Sequence, residues 1–111
     1  MSGRRSRRKG ARWEREVARR LQALGFDEAR RGLTQSRGAE QADVEGTPWW
    51  VECKCGRQPN PRAAMRQALE DTDGRPVLVV IHDDSPGGGQ PAREWVAMPW
   101  DVFEAMMEER R

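Results

Sequence analysis

Histidine occurs once and cysteine only twice in this 111-residue sequence. Cys53 and Cys55 stand two apart and cannot build a disulfide framework, so a reducing cytoplasm is the expected setting. A zinc site needs about four ligands, and His82 lies at the far end of a separate apolar run. The two thiols therefore read as packed core residues, and His82 as a strand-end residue. No apolar run approaches the roughly 20 residues of a membrane span, and no repeat of about 20–50 residues is visible. The opening MSGRRSRRKG has positive charge but no apolar stretch behind it, which does not read as a secretory signal. The length is that of one domain. With 36% hydrophobic and 34% charged residues, the core is lean and leaves no room for a large internal cavity.

What is abundant is arginine, and it is unevenly spread. Residues 1–37 hold 12 of the 20 basic residues, eleven Arg and Lys9, against four acids, so the front third carries +8 and the remainder −6. That asymmetry points to a polyanionic partner. The planar arginine fork matches phosphate geometry; a solvated helix face, or a GC-rich genome, is the plainer account of the same run.

Residues 1–8 read as a flexible basic arm and residues 9–111 as a single domain. Trp13, Val17, Leu21 and Leu24 recur at helical spacing and predict a helix over 9–25, with Gly25 as its C-terminal cap. Arg8, Arg12, Arg15 and Arg19 project from its other side, and Glu14 falls about 65° from the centre of the apolar stripe, at the border of the buried face. Phe26 to Arg31 suggests a short strand, and residues 32–41 a polar loop. ADVEG and WWVECKC, joined across Gly46, Thr47 and Pro48, carry a hairpin signal. Asn60-Pro61 starts a second helix with Ala64, Met65, Ala68 and Leu69 on its apolar face, ended by Asp73-Gly74. VLVVI (77–81) reads as a central strand covered on both faces. Residues 83–93 form a flexible turn, Trp95–Met98 a last strand and Trp100–Met107 a last helix. The order α-β-β-β-α-β-β-α predicts an α/β fold, a mixed central sheet flanked by helices.

The informative segment is Asp43 to Lys54. Alternation along a strand puts Glu52 and Lys54 on one face and Val51, Cys53 and Cys55 on the other. Charges in the middle of an apolar strand are costly unless paired or bound to something. With a two-residue turn at Thr47-Pro48, Val44 faces Val51 and Asp43 faces Glu52, their Cβ atoms about 5 Å apart; a longer turn would shift this register by one. Two carboxylates that close repel, and their cheapest common partner is a hard divalent cation, Mg²⁺ or Mn²⁺.

An acid, a second acid about nine residues on and a lysine two past it resembles the active site of the PD-(D/E)xK nuclease superfamily, with Asp43, Glu52 and Lys54 in the three positions. The likeness is closer to the archaeal-type Holliday junction resolvases, a family that extends to phages. Those proteins open with a basic arm and a KG-x-x-x-E helix, matched by KGARWERE (9–16) with Glu14 at the helix glutamate. Gly25-Phe26, the Arg30-Arg31 strand, a loop with Ser36 and Gly38, A-D-V and W-V-E-C-K follow in order. The likeness covers most of residues 8–82, and Ala42 stands where the superfamily has its namesake proline.

The resemblance implies a restriction-endonuclease-like core and a metal-dependent endonuclease that resolves four-way DNA junctions by paired nicks. In that reading Asp43 and Glu52 hold the metal with help from the Cys53 carbonyl, and Glu14 reaches it from the first helix, directly or through water. Lys54 orients or deprotonates the attacking water, or neutralises charge in the transition state. A homodimer with two sites suits a roughly two-fold substrate, and neither a membrane nor an organic cofactor enters. DNA would meet Arg4, Arg5, Arg7, Arg8, Lys9, Arg12, Arg30, Arg31, Ser36, Arg37, Arg66 and Gln67; for Arg66 and Gln67 a helix-surface role stands beside this one, and for the Ser36–Arg37 loop a plain connector. Five tryptophans are many for so small a domain; some belong to the core and a few to a subunit interface. Two other functions fit the same residues: a restriction- or repair-type nuclease on branched or duplex DNA, and a non-catalytic basic DNA-binding module in which Glu52 and Lys54 form a salt bridge.

Overall fold

Arginine, alanine and leucine are good helix formers, and no proline interrupts the first 47 residues. A computed structural model, which describes residues 3–33 and 41–110, accordingly places the first helix, α1, at Gly3–Ala23. It begins at Gly3 rather than at residue 9, so residues 3–8 of the expected arm are helical. Trp13, Val17 and Ala18 are buried, while Arg8, Arg12, Arg15 and Arg19 are exposed. Gly25, at φ 109°, donates to the Gln22 carbonyl and Phe26 to the Leu21 carbonyl, both at 3.0 Å. This paired closure is what an αL glycine after a helix makes possible. It also consumes Phe26, so the first strand, β1, is only Arg30–Arg31 rather than Phe26–Arg31.

The remaining elements are β2 (Val44–Glu45), β3 (Trp50–Gly56), α2 (Pro61–Asp71), β4 (Val77–Asp83), β5 (Arg93–Ala97) and α3 (Trp100–Glu109). The element order is the expected one. The five strands form one sheet in the order β1-β2-β3-β4-β5. Only β3 and β4 are parallel, the pair that needs a helical crossover, and α2 supplies it. The Asn60 side chain caps α2 by accepting from the Ala63 N–H at 3.1 Å. Ala64 and Ala68 are buried; Leu69, expected on the same face, is 52% exposed. VLVVI lies in β4, an interior strand beside the central β3.

Alternation along β3 and β4 sends side chains into two layers. Val51, Cys53 and Leu78 pack with Trp13 and Val17 of α1. Trp50, Val79 and Ile81 pack with Ala64 and Ala68 of α2. The Trp13 indole N–H donates to the Val80 carbonyl at 3.2 Å, tying α1 to the sheet. No helix among the described residues is long and apolar enough to cross a membrane.

The turn between β2 and β3 is held from outside. Gly46 has φ 89°, and a Cβ there would lie 2.0 Å from the Glu28 carbonyl oxygen. Arg75 donates to both oxygens of Glu45 at 2.9 and 3.0 Å and lies over the Trp50 ring. Gly46→Ala should therefore destabilise the protein by at least about 2 kcal/mol. Gly10→Ala, where a Cβ meets nothing within 4 Å, should stabilise α1 by about 0.5–1 kcal/mol. Urea denaturation of both variants checks the contrast; equal effects would mean that Gly46 is not what shapes this turn.

Candidate active site

β2 and β3 pair with Val44 opposite Val51, the register expected for a turn at Thr47-Pro48. Asp43 precedes β2 by one residue, and its charge acts on Glu52 of β3. Its N–H donates to the Val51 carbonyl at 3.0 Å and its carbonyl accepts from Gly32 at 2.8 Å. Its Oδ2 accepts from the Cys53 N–H at 2.8 Å. In a strand the N–H and C=O of one residue point to the same edge, so the Cys53 carbonyl faces the Asp43 side as well. Lys54 Nζ stands 3.9 Å from Glu52 Oε2, with the lysine side chain 45% exposed and the glutamate 13%.

Burial pushes the Asp43 carboxyl up to about 6, and the Glu14 charge adds to the rise; the Cys53 N–H, Lys54 and Arg31 pull the other way. Burial likewise pushes Glu52 up to about 7, with Asp43 and Asp71 adding to it and Lys54 opposing. Two desolvated carboxyls thus interact with too little positive charge nearby to keep both ionised at neutral pH. Glu14 is half-buried at the border of the α1 stripe, as its wheel position implies, and its Oε1 accepts from Arg31 Nε at 2.6 Å. It acts on Asp43 electrostatically, but among the described residues no three His, Cys, Asp or Glu side chains form a ready-made metal cage. The donors that suit a hard divalent cation are the Asp43 and Glu52 carboxylates with the main-chain carbonyl of Cys53. Cys53 is a buried free thiol and Cys55 a half-buried one. Both pack in the α1 layer, where burial raises their pKa values, so neither is primed as a nucleophile.

The residues expected to meet DNA divide into several groups. Arg4, Arg5, Arg8, Lys9 and Arg12 line one concave surface on α1, and Arg7 is exposed beside them. Lys9 is ion-paired with Asp84. Arg31 is held by Glu14, and exposed Arg30 donates to the Glu28 carbonyl at 3.2 Å. Arg66 is exposed on α2, whereas Gln67 donates to Asp71 at 2.8 Å. Ser36 and Arg37 lie outside the described residues. Sequence reasoning missed Asp71, although its i, i+4 spacing from Gln67 marks a helix pair. It also missed Arg75, for which only the fold reveals the partner Glu45.

No family model matches the chain, and neither a curated protein nor a solved structure does.

The raised carboxyls have a measurable consequence. An acid whose folded-state pKa is raised holds its proton more tightly folded than unfolded. Glu52 then costs metal-free stability as pH climbs from about 4.5 to about 7. At pH 8 in chelator, Glu52→Gln should be more stable than the wild type by roughly 1–3 kcal/mol, and near pH 4 the two should agree. Chemical denaturation at both pH values checks this; a variant less stable by the same amount at both would contradict the burial of an ionised Glu52.

Proposed function

We propose that the chain is a metal-dependent, structure-selective DNA endonuclease that hydrolyses phosphodiester bonds at four-way junctions, on a restriction-endonuclease-like version of its α/β fold. The observation that carries this reading is two desolvated, interacting carboxyls, Asp43 and Glu52, with Asp43 bonded to the Cys53 N–H and Lys54 3.9 Å from Glu52. A phosphodiester is already anionic, so its hydrolysis calls for positive charge on the phosphoryl group and an activated water. A bound Mg²⁺ or Mn²⁺ supplies both the Lewis acid and a water of lowered pKa. Asp43, Glu52 and the Cys53 carbonyl are the groups that would hold it. Lys54, half-exposed at the rim, orients the water or meets charge building on the phosphate. The arginine-rich face of α1 offers phosphate contacts, and Glu14 contributes negative charge at the inner edge.

Incubation of the protein with Mg²⁺ and a synthetic four-way junction tests the reading. Paired nicks should appear much faster than any cut in linear duplex, and Lys54→Ala or Asp43→Asn should slow cleavage at least about a hundredfold while junction binding persists. Equal rates on duplex would favour a restriction- or repair-type nuclease. Binding without any cleavage by the wild type would favour a basic DNA-binding module.

Paired nicks require two sites, and the reading includes a homodimer. Trp95, Val96 and Met107 are exposed and line an open groove of about 980 Å³ reaching α1, and Trp100 and Phe103 of α3 are exposed as well. So much apolar surface in one place is unusual for a monomer. Arg20, Glu94, Glu109 and Arg110 also line the groove, Arg20 paired with Glu94 at 2.7 Å, and a two-fold copy would cover the apolar residues with their own counterparts. Sedimentation should give a dimer for the wild type and a monomer for the Trp95→Glu, Val96→Glu double variant; a monomeric wild type would remove the homodimer from this account.

A further inference from the structure

Arg31 occupies a position that the proposed reaction does not by itself explain. Its Nε donates to Glu14 Oε1 at 2.6 Å, with the glutamate side chain 14% exposed and the arginine 38%. Glu14 and Arg31 both act on the Asp43 carboxyl, Glu14 raising its pKa and Arg31 lowering it. The guanidinium thus supplies positive charge to the same acidic edge that suits a divalent cation, while remaining partly open to solvent. It comes from β1, next to exposed Arg30, and the β1 and β2 strands pair with Arg31 opposite Val44, so Asp43 is one residue from its partner.

We propose that Arg31 is a built-in counter-ion that exchanges partners: it neutralises Glu14 when no divalent cation is present, and it turns to the DNA phosphate when a cation takes over the neutralisation. Metal and DNA are then coupled through one side chain. Each ligand strengthens the other by the same factor, because a binding linkage is reciprocal. The arrangement also sets a threshold. Without metal, part of the basic surface is tied up internally, and without DNA the metal must compete with a resident cation. An arginine suits both states because the same fork fits a carboxylate and a phosphate, and its partial exposure leaves it room to swing. This inference rests on the nuclease reading of the Asp43–Glu52 site and adds a regulatory role that the catalytic groups do not need.

The test uses the full chain, Arg31→Gln and Asp43→Asn. Calorimetric titration with Mn²⁺ in the absence of DNA should show Arg31→Gln binding the metal about three- to tenfold more tightly than the wild type, a modest figure because the pair is partly solvated. Asp43→Asn should bind it far more weakly. Junction affinity, measured by fluorescence anisotropy with and without Ca²⁺, should rise more on adding the cation for the wild type than for Arg31→Gln. Circular dichroism establishes that each variant is folded, and Arg31→Lys, which keeps the charge, should restore part of the coupling if Gln perturbs the local structure. Equal or weaker Mn²⁺ binding by a folded Arg31→Gln, or an equal Ca²⁺ gain in both proteins, overturns the exchange and leaves the nuclease reading standing. A wild type that binds no Mn²⁺ overturns both.

Discussion

The β2–β3 pair brings Asp43 and Glu52 within electrostatic reach of each other, and the packing and the turn around them hold them there. Asp43 raises the pKa of Glu52, so ionising both carboxyls together is unfavourable. Hydrophobic packing on both sides of β3 withstands that repulsion. Trp50 and Val51, neighbours in sequence, are buried in opposite layers, so Glu52 cannot move to the other face without pulling a large side chain into water. The turn is fixed by Gly46 against the Glu28 carbonyl and by the Glu45–Arg75 clamp. A one-residue slip would turn every side chain of the pair over and disperse the site.

Positive charge is distributed around this pair in graded fashion. Lys54 is near Glu52 but not in tight contact; Arg31 is committed to Glu14; Lys9 is committed to Asp84. Burial outweighs the nearby cations at Asp43 and Glu52, since both carboxyls end above their ordinary values. Farther out, Arg19 and Arg20 grip Glu16 and hold its carboxyl down at about 2, which is the behaviour of a solvated surface pair. The contrast separates acids that stabilise a helix surface from acids held in an unfavourable setting, where function is the usual reason for the cost.

Much of this was legible in the residues. Alternation through WWVECKC and the Thr47-Pro48 turn led to the observed register, and Asn60-Pro61 to the observed start of α2, because these are local signals with one cheap solution. Boundaries were less legible. The arginine-rich start looked like an arm, yet nothing in it breaks a helix, and α1 continues back to Gly3. Phe26 looked like strand and is instead part of the helix closure. Leu69 matched a helical stripe, but the stripe that the sheet covers is narrow, Ala64 and Ala68 buried with Met65 partly buried beside them. Arg75 and the Glu14–Arg31 pair were illegible for a common reason: each depends on partners brought together by tertiary folding, and no spacing along the chain encodes them.

The central claim is that Asp43, Glu52 and the Cys53 carbonyl together form a seat for a divalent cation. Crystals soaked in Mn²⁺ and measured for anomalous scattering test it most directly. The account predicts a peak bonded to oxygens of both carboxylates and close to the Cys53 carbonyl, one per subunit. Well-ordered carboxylates turned away from each other, or a metal bound elsewhere with this position empty at saturating Mn²⁺, would contradict it.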